Sequence, residues 1–141
     1  MEANDDVLMC SILENAISDL TKRIYHTLQE ESTITIAQFL ILSYLCTCDN
    51  ISHNTLCVLT SKDKPSISRL IDKLESKKYV QRIPDAIDKR KKLIILTKDG
   101  RIACVKTKNI IKQISGKIIA NIDNNQLKVF WNVLNKLINN L

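Results

Sequence analysis

Glycine and proline each occur only twice in this 141-residue chain, at Gly100, Gly116, Pro65 and Pro84. A Walker phosphate-binding loop requires two glycines five positions apart, and a Rossmann turn requires three close together, so both motifs are excluded. Apolar residues instead recur every three or four positions through most of the chain, which is the spacing of amphipathic helices. The sequence therefore predicts a mainly α-helical protein.

Helix-capping residues divide the chain into six predicted helices. The first covers residues 7–28, and the others begin at Thr35 (with Gln38 as a capping box), Ser52, Asp63 or Lys64 with Pro65, Thr97, and Asp123 (with Gln126). Between the fourth and fifth helices, the β-rich runs YVQRI and KKLIIL flank the polar segment PDAIDKR. This pattern predicts a β-hairpin.

Charge is distributed unevenly along the chain. Residues 1–59 carry a net charge of −6 and residues 60–141 a net charge of +12, and thirteen of the Lys and Arg residues fall within 60–101. A basic segment on an otherwise acidic chain is typical of a polyanion-binding surface. No apolar run is long enough to span a membrane, and the first dozen residues are acidic, unlike a signal peptide. We therefore expect a cytoplasmic protein without a membrane partner.

The segment PSISRLIDKLESK is predicted to be a DNA-recognition helix. One face carries the apolar residues, and the other carries Ser66, Arg69 and Lys73, with Ser68 and Asp72 flanking them. Lys64, just before the segment, is a further candidate for DNA binding. A short helix and a tight turn precede it, which is the helix-turn-helix arrangement. Small hydroxyl side chains allow close approach to the major groove, and Arg69 can bind a guanine edge or a phosphate.

The hairpin that follows would form a wing with a basic tip. This tip contains Asp88, Lys89, Arg90 and Lys91, and it is the most basic patch of the chain. An arginine at such a tip suits the narrow, electronegative minor groove. The alternative is a solvated charge run after an ordinary surface helix. A helix-turn-helix together with a basic wing is the more specific pattern.

Residues 59–100 resemble the winged-helix core of the MarR family of bacterial transcriptional regulators. The resemblance rests on the run from Ser66 to Glu75, on Val80 to Arg82, on Asp88-Lys89-Arg90, and on Leu96 to Gly100. The flanking helices also fit the order of helices in the family, so the resemblance covers essentially the whole chain. It implies a single domain of mainly α (α+β) winged helix-turn-helix class, with a DNA-binding core at 35–100 and helical dimerisation regions at 1–34 and 101–141. The implied function is a homodimeric repressor that binds a pseudo-palindromic operator in double-stranded DNA.

The same resemblance assigns roles to individual residues. Ser66, Ser68 and Arg69 would face the major groove, whereas Arg90 would enter the minor groove and Asp88 would orient it through a salt bridge. Lys78 stands where the family usually has glycine after the recognition helix. A left-handed backbone there costs a non-glycine residue about 1 kcal/mol. This departure leaves the angle of the wing open.

The signal that controls the regulator is less well defined. In the MarR family, small aromatic or phenolic effectors often bind between the dimerisation helices and the winged helix, and one branch senses peroxides through an N-terminal cysteine. Cys10 lies one residue from that sensor position, which rotates it by about 100° on a helix. We expect it to be an ordinary packing residue, with redox sensing as the alternative.

The remaining cysteines and the histidines indicate neither a disulfide framework nor a metal site. The five cysteines are an odd number, which argues against a disulfide framework in a cytoplasmic chain. Cys46, Cys48, His53 and Cys57 are close in sequence, but two helical residues at i and i+2 diverge by about 200°. We expect no metal and no cofactor.

These patterns favour a sequence-specific DNA-binding regulator. No nucleophile–base set is recognisable, so an enzyme is not expected. The alternative is a winged-helix module that binds protein without specific DNA binding. Neutral residues at positions 69 and 90 would favour that alternative, but both positions are arginine.

Overall fold

A computed structural model describes residues 3–48 and 50–140 of the chain. Within these residues it contains six helices and three strands: α1 (Ala3–Glu31), α2 (Ile36–Thr47), β1 (Ile51–Ser52), α3 (His53–Thr60), α4 (Lys64–Ser76), β2 (Val80–Pro84), β3 (Lys92–Leu96), α5 (Lys98–Ile118) and α6 (Asn124–Asn139). The predicted mainly helical winged helix-turn-helix fold is confirmed.

Helices α2 to α6 begin at the capping residues that the sequence predicts, whereas α1 is longer at both ends than the predicted 7–28. Thr35 and Gln38 form a reciprocal capping box at α2, in which the Gln38 N–H donates to Thr35 Oγ1 (3.3 Å) and the Thr35 N–H to Gln38 Oε1 (3.1 Å). Asp123 and Gln126 form the same arrangement at α6. Each cap satisfies backbone N–H groups that have no partner within the helix.

The sheet has one strand more than the predicted hairpin. Strand β3 lies in the centre and pairs antiparallel with β2 on one side and with β1 on the other. Strand β1 has only two residues, of which Ile51 pairs with Ile94. This short strand joins the start of α3 to the base of the wing.

Two apolar clusters hold the fold together. The larger one lies among α2, α3, α4 and the sheet, and its fully buried members include Leu42, Leu56 and Ile71. The smaller one joins α1 to α5 through Leu28, Ile110 and Ile114. The winged helix and the α1–α5 pair therefore have separate apolar centres.

The apolar faces of the terminal helices are exposed in a single copy of the chain. Seventeen of the 21 large apolar side chains found exposed among the described residues lie in α1, in α5, in α6 or between α5 and α6. Phe130 and Trp131 of α6 are 55% and 57% exposed, although their rings pack edge to face. Exposed apolar side chains concentrated in this way are typical of an interface.

Gly100 allows α5 to begin directly against the wing. A Cβ atom at this position would lie 2.0 Å from the Tyr79 carbonyl oxygen. The same oxygen accepts a hydrogen bond from the Thr97 N–H at 3.0 Å. Only glycine allows the backbone of α5 to approach the Tyr79 carbonyl group this closely, which explains why glycine occupies position 100.

The cysteines of the structure are free thiols. Cys57 Sγ lies 3.8 Å from His53 Nδ1, while burial, with a contribution from neighbouring Cys46, raises the pKa of Cys104 to about 11. Across the part of the chain that the structure describes, no group of three or more potential metal ligands comes together. Nor is any helix in that part long and apolar enough to cross a membrane.

Candidate nucleic-acid interface

Helices α3 and α4 form a helix-turn-helix. Ser61 ends α3 in the left-handed region, with φ of 52°, and its N–H donates to Val58 O while the Lys62 N–H donates to Cys57 O. Two residues later, Asp63 caps α4 by accepting the Ser66 N–H at 2.7 Å. This turn fixes the direction in which α4 leaves α3.

Helix α4 buries one side and presents the other to solvent. Ile67, Ile71 and Leu74 are fully buried. On the opposite side Lys64, Arg69 and Lys73 are exposed, and Ser66 and Ser68 are half-buried. The structure thus brings the sequence-predicted recognition residues onto one polar side.

Asp63 places a negative charge at the start of that side. Hydrogen bonds from the Ser66 hydroxyl and N–H lower the pKa of Asp63, and the charges of Arg69 and Lys62 act in the same direction. The Asp63 carboxylate therefore both caps α4 and lies close to the charges of Lys62 and Arg69 at the start of this side.

The wing tip, residues 85–91, is ordered by its own hydrogen bonds. The Asp85 N–H donates to Lys91 O at 2.9 Å, which closes the loop at its base. Asp88 Oδ1 accepts the Arg90 N–H at 3.1 Å but lies 3.9 Å from Arg90 Nε. Asp88 therefore holds Arg90 more closely through the main chain than through the expected salt bridge.

Arg82 links the recognition helix to the wing. Arg82 lies on strand β2, and its guanidinium binds the carboxylates of Asp72 and Glu75 on α4. The main-chain N–H of Arg82 also donates to Glu75 Oε1 at 3.3 Å. Its side chain is only 22% exposed. From the sequence, Asp72 is expected beside the DNA-facing residues and Arg82 has no role of its own. The two acids at i and i+3 on α4 were the available signal for a cationic partner.

Lys78 adopts the left-handed conformation predicted from its position after the recognition helix. Its φ is 61°. The Lys78 N–H donates to Glu75 O and the Tyr79 N–H to Leu74 O, which is the Schellman pattern at a helix end. Lys78 O in turn accepts the Thr97 hydroxyl at 2.7 Å. These bonds hold the wing base despite the absence of glycine.

A family model for the transcriptional regulators SarA and Rot matches residues 23–106, more than half of the chain. The chain belongs to the SarA/Rot family. It is a DNA-binding transcriptional regulator of the winged-helix type, as are the MarR proteins that the sequence resembles. A comparison with curated proteins gives no match.

Solved structures show the same fold as this SarA/Rot regulator. A mutant of MarR from E. coli complexed with operator DNA has a TM-score of 0.79 at 23% identity, covering 97% of this chain and 99% of its own. Wild-type MarR in its apo form has a TM-score of 0.68 at 25% identity, covering 89% and 96%. BpsR from Bordetella bronchiseptica has a TM-score of 0.75 at 23% identity, covering 88% and 91%.

Proposed function

We propose that the protein is a homodimeric repressor that binds a pseudo-palindromic operator and is released by a small-molecule signal. The observation that carries this proposal is that the polar side of α4 and the basic wing tip belong to one winged helix, in which Arg82 of the wing is bonded directly to α4. Family membership supports the class of function, and the further details follow from the surfaces described above.

Dimerisation is supported by where the exposed apolar side chains lie. They concentrate in residues 1–34 and 101–141, and in the 35–100 core only Leu40, Val58, Leu59 and Ile87 are large, apolar and exposed among the described residues. Burying apolar surface is favourable by about 25 cal/mol per Å². We therefore assign the two terminal regions to the dimer interface and residues 35–100 to DNA binding.

Sedimentation equilibrium at micromolar concentration tests the dimer. We expect twice the mass of the 16.1 kDa chain. An Ile12→Glu change in α1 and a Trp131→Glu change in α6 place charges on exposed apolar faces and should dissociate the dimer. Val58→Glu, on the winged helix, is the matched control and should leave it intact. A wild-type protein that sediments at the mass of one chain contradicts the proposal.

We assign the DNA contacts to two groups of residues. Lys64, Ser66, Ser68, Arg69 and Lys73 of α4 would contact the major groove and its phosphates. Lys89, Arg90 and Lys91 of the wing would lie at the minor groove, with Asp88 ordering the loop. In a dimer, two such helices in successive major grooves require half-sites about 34 Å apart.

Selection of bound sequences from random duplex DNA tests this assignment and yields the operator. With about four phosphates contacted per protomer, log K should fall against log salt with a slope of roughly −7. Arg90→Ala should weaken binding by about 1–3 kcal/mol, and Asp88→Ala by less. Arg69→Ala should relax the preference at one position in each half-site. Failure to enrich any sequence would instead support a winged helix that binds protein.

A cavity of about 330 Å³ provides a site for the effector. It lies between the end of α1, the start of α5 and the base of the wing, and its lining includes Thr33, Tyr79, Asp99, Lys106 and Thr107. This volume is at the lower end of the range for small-molecule sites. DNA binding by BpsR is regulated by 6-hydroxynicotinic acid. We propose that a small aromatic acid binds here, with its carboxylate near Lys106.

A hydrogen bond from Lys77 connects the cavity to the recognition helix. Lys77, at the end of α4, donates through Nζ to the carbonyl oxygen of Thr33, which also lines the cavity. An occupant that displaces Thr33 would therefore shift the end of α4. In a panel of small aromatic acids, we expect a compound that releases the operator and raises the Tm, with both effects reduced in Lys106→Met. A panel without such a compound contradicts this part of the proposal.

Cys10 is an exposed residue of α1. We propose that it is not the dominant sensor, because it lies one residue from the sensor position of the peroxide-sensing branch, which rotates its side chain by about 100° on the helix. Cys10→Ser should therefore keep both operator binding and release by the natural signal. Loss of peroxide-triggered release in Cys10→Ser would show that the redox alternative is correct.

A further inference from the structure

The wing tip exposes a large apolar side chain beside its arginine. Ile87 is 97% exposed, and the side chain of Arg90 is exposed to the same extent. Both lie in residues 86–90, the five-residue segment that the hydrogen bond from the Asp85 N–H to Lys91 O encloses. An isoleucine held at the end of a basic hairpin has no structural role within its own winged helix.

The tip holds Ile87 and Arg90 in the same way. Asp85 Oδ1 accepts the N–H of Ile87 at 2.8 Å, and Asp88 Oδ1 accepts the N–H of Arg90 at 3.1 Å. In each case an aspartate fixes the backbone of the residue two positions later, which is an Asx turn. The loop therefore presents an apolar and a cationic side chain from two successive turns of the same kind.

We propose that Ile87 enters the minor groove together with Arg90 and packs against the sugars and base edges, partly unstacking the adjacent base step. Three neighbouring cations, Lys89, Arg90 and Lys91, give the tip a positive potential, so the partner that covers Ile87 is a polyanion rather than an apolar protein surface. Apolar side chains, isoleucine among them, act as wedges in minor-groove binding. This inference rests on the proposed placement of the wing at the operator.

The salt dependence of binding separates the role of Ile87 from that of the cations. Ile87→Ala removes apolar contact but no charge, so we expect about a tenfold loss of operator affinity with an unchanged salt slope. Ile87→Gln, similar in length but polar, should lose as much, and Ile87→Leu should retain most of the affinity. Arg90→Ala should instead reduce the salt slope by about one unit per protomer.

The deformation of the DNA is measured separately. 2-Aminopurine placed at the base steps under the wing should brighten when wild-type protein binds, because unstacking relieves quenching, and should brighten much less with Ile87→Ala. Val58→Ala, another exposed apolar residue of the winged helix, is the matched control and should leave fluorescence and affinity unchanged. All variants should keep the wild-type Tm, since neither side chain is buried.

The outcomes distinguish this inference from the proposed function. A wild-type protein that binds no selected duplex contradicts both. If the wild type binds and Ile87→Ala has the same affinity within twofold and the same 2-aminopurine signal, the minor-groove role of Ile87 is wrong and DNA binding stands. An affinity loss accompanied by a reduced salt slope also contradicts the inference, because it would show that the change had displaced the neighbouring cations.

Discussion

Replacing Arg82 with methionine should weaken both the fold and operator binding. Methionine keeps much of the volume of the side chain but removes the guanidinium bonds to Asp72 and Glu75, while the main-chain N–H of residue 82 can still donate to Glu75. The charged hydrogen bond from the guanidinium to Glu75 contributes about 1.5–3 kcal/mol, and the more exposed pair with Asp72 about 0.2–1 kcal/mol. We expect a loss of about 2 kcal/mol in the free energy of unfolding and a fall in Tm of about 4–8 °C.

The effect on DNA binding follows from the length of the wing. The five residues of β2 span about 17 Å, so a rotation of about 5° at the strand base moves the tip by about 1.5 Å. That displacement takes an Arg90 hydrogen bond beyond its useful range. Arg82→Met should therefore lose most of the operator affinity that Arg90 contributes. Arg90→Ala should then reduce operator affinity much less in the Arg82→Met background than in the wild type.

A variant without charge at these three positions tests whether position or charge is responsible. Arg82 and its two partners have a net charge of −1, Arg82→Met changes this to −2, and the triple variant Arg82→Met, Asp72→Asn, Glu75→Gln makes it neutral. If charge alone governs binding, the triple variant binds the operator more tightly than the wild type. We expect it to bind more weakly, measured by fluorescence anisotropy at constant salt. Tighter binding would refute the positioning role of Arg82.

Three further predictions concern the ends of α4 and the start of α5. Lys78→Gly should raise the free energy of unfolding by about 1 kcal/mol in urea denaturation, because glycine adopts a positive φ without strain; an unchanged midpoint contradicts this. Gly100→Ala should lower it by about 1–3 kcal/mol, because the added methyl group meets the Tyr79 carbonyl oxygen; full stability would show that α5 can shift. Hydrogen bonds from Ser66 lower the pKa of Asp63 in the folded protein. The contribution of this carboxylate to the free energy of unfolding is therefore complete above pH 3.8, the ordinary pKa, and is lost as the pH falls through the lower pKa of the folded state. Asp63→Asn keeps the cap without titrating, so its difference in stability from the wild type should shrink in that acidic range; a difference that is constant with pH contradicts this.

The features that the sequence predicts well are those decided within a few residues. The capping boxes of α2 and α6 each need only the cap residue and a glutamine three positions later. The position of Lys78 in the left-handed region likewise follows from the end of one helix. Local chemistry of this kind is independent of the rest of the fold, so it can be inferred without knowing the fold.

The features that the sequence analysis missed depend on distant partners. Strand β1 exists because Ile51 meets Ile94, and two residues alone have no recognisable strand pattern. The bond from Lys77 to Thr33 joins residues 44 positions apart. Arg82 reads as one more cation in a basic segment until the strand brings it against α4. Spacing along the chain does not identify such pairs, because the fold creates the proximity.

Tyr79 has a consequence for how such a regulator can be switched. Its N–H donates to the carbonyl oxygen of Leu74 in the last turn of α4, its own carbonyl oxygen accepts the N–H of Thr97 at the start of α5, and the residue lines the cavity. One residue thus fastens three elements to one another, and bending the wing alone would break these bonds. In the proposed dimer, we therefore expect a signal to move each winged helix as a rigid body. The quantity that changes is the distance between the two recognition helices. Operator binding is then retained or lost according to whether this distance matches the helical repeat of the DNA.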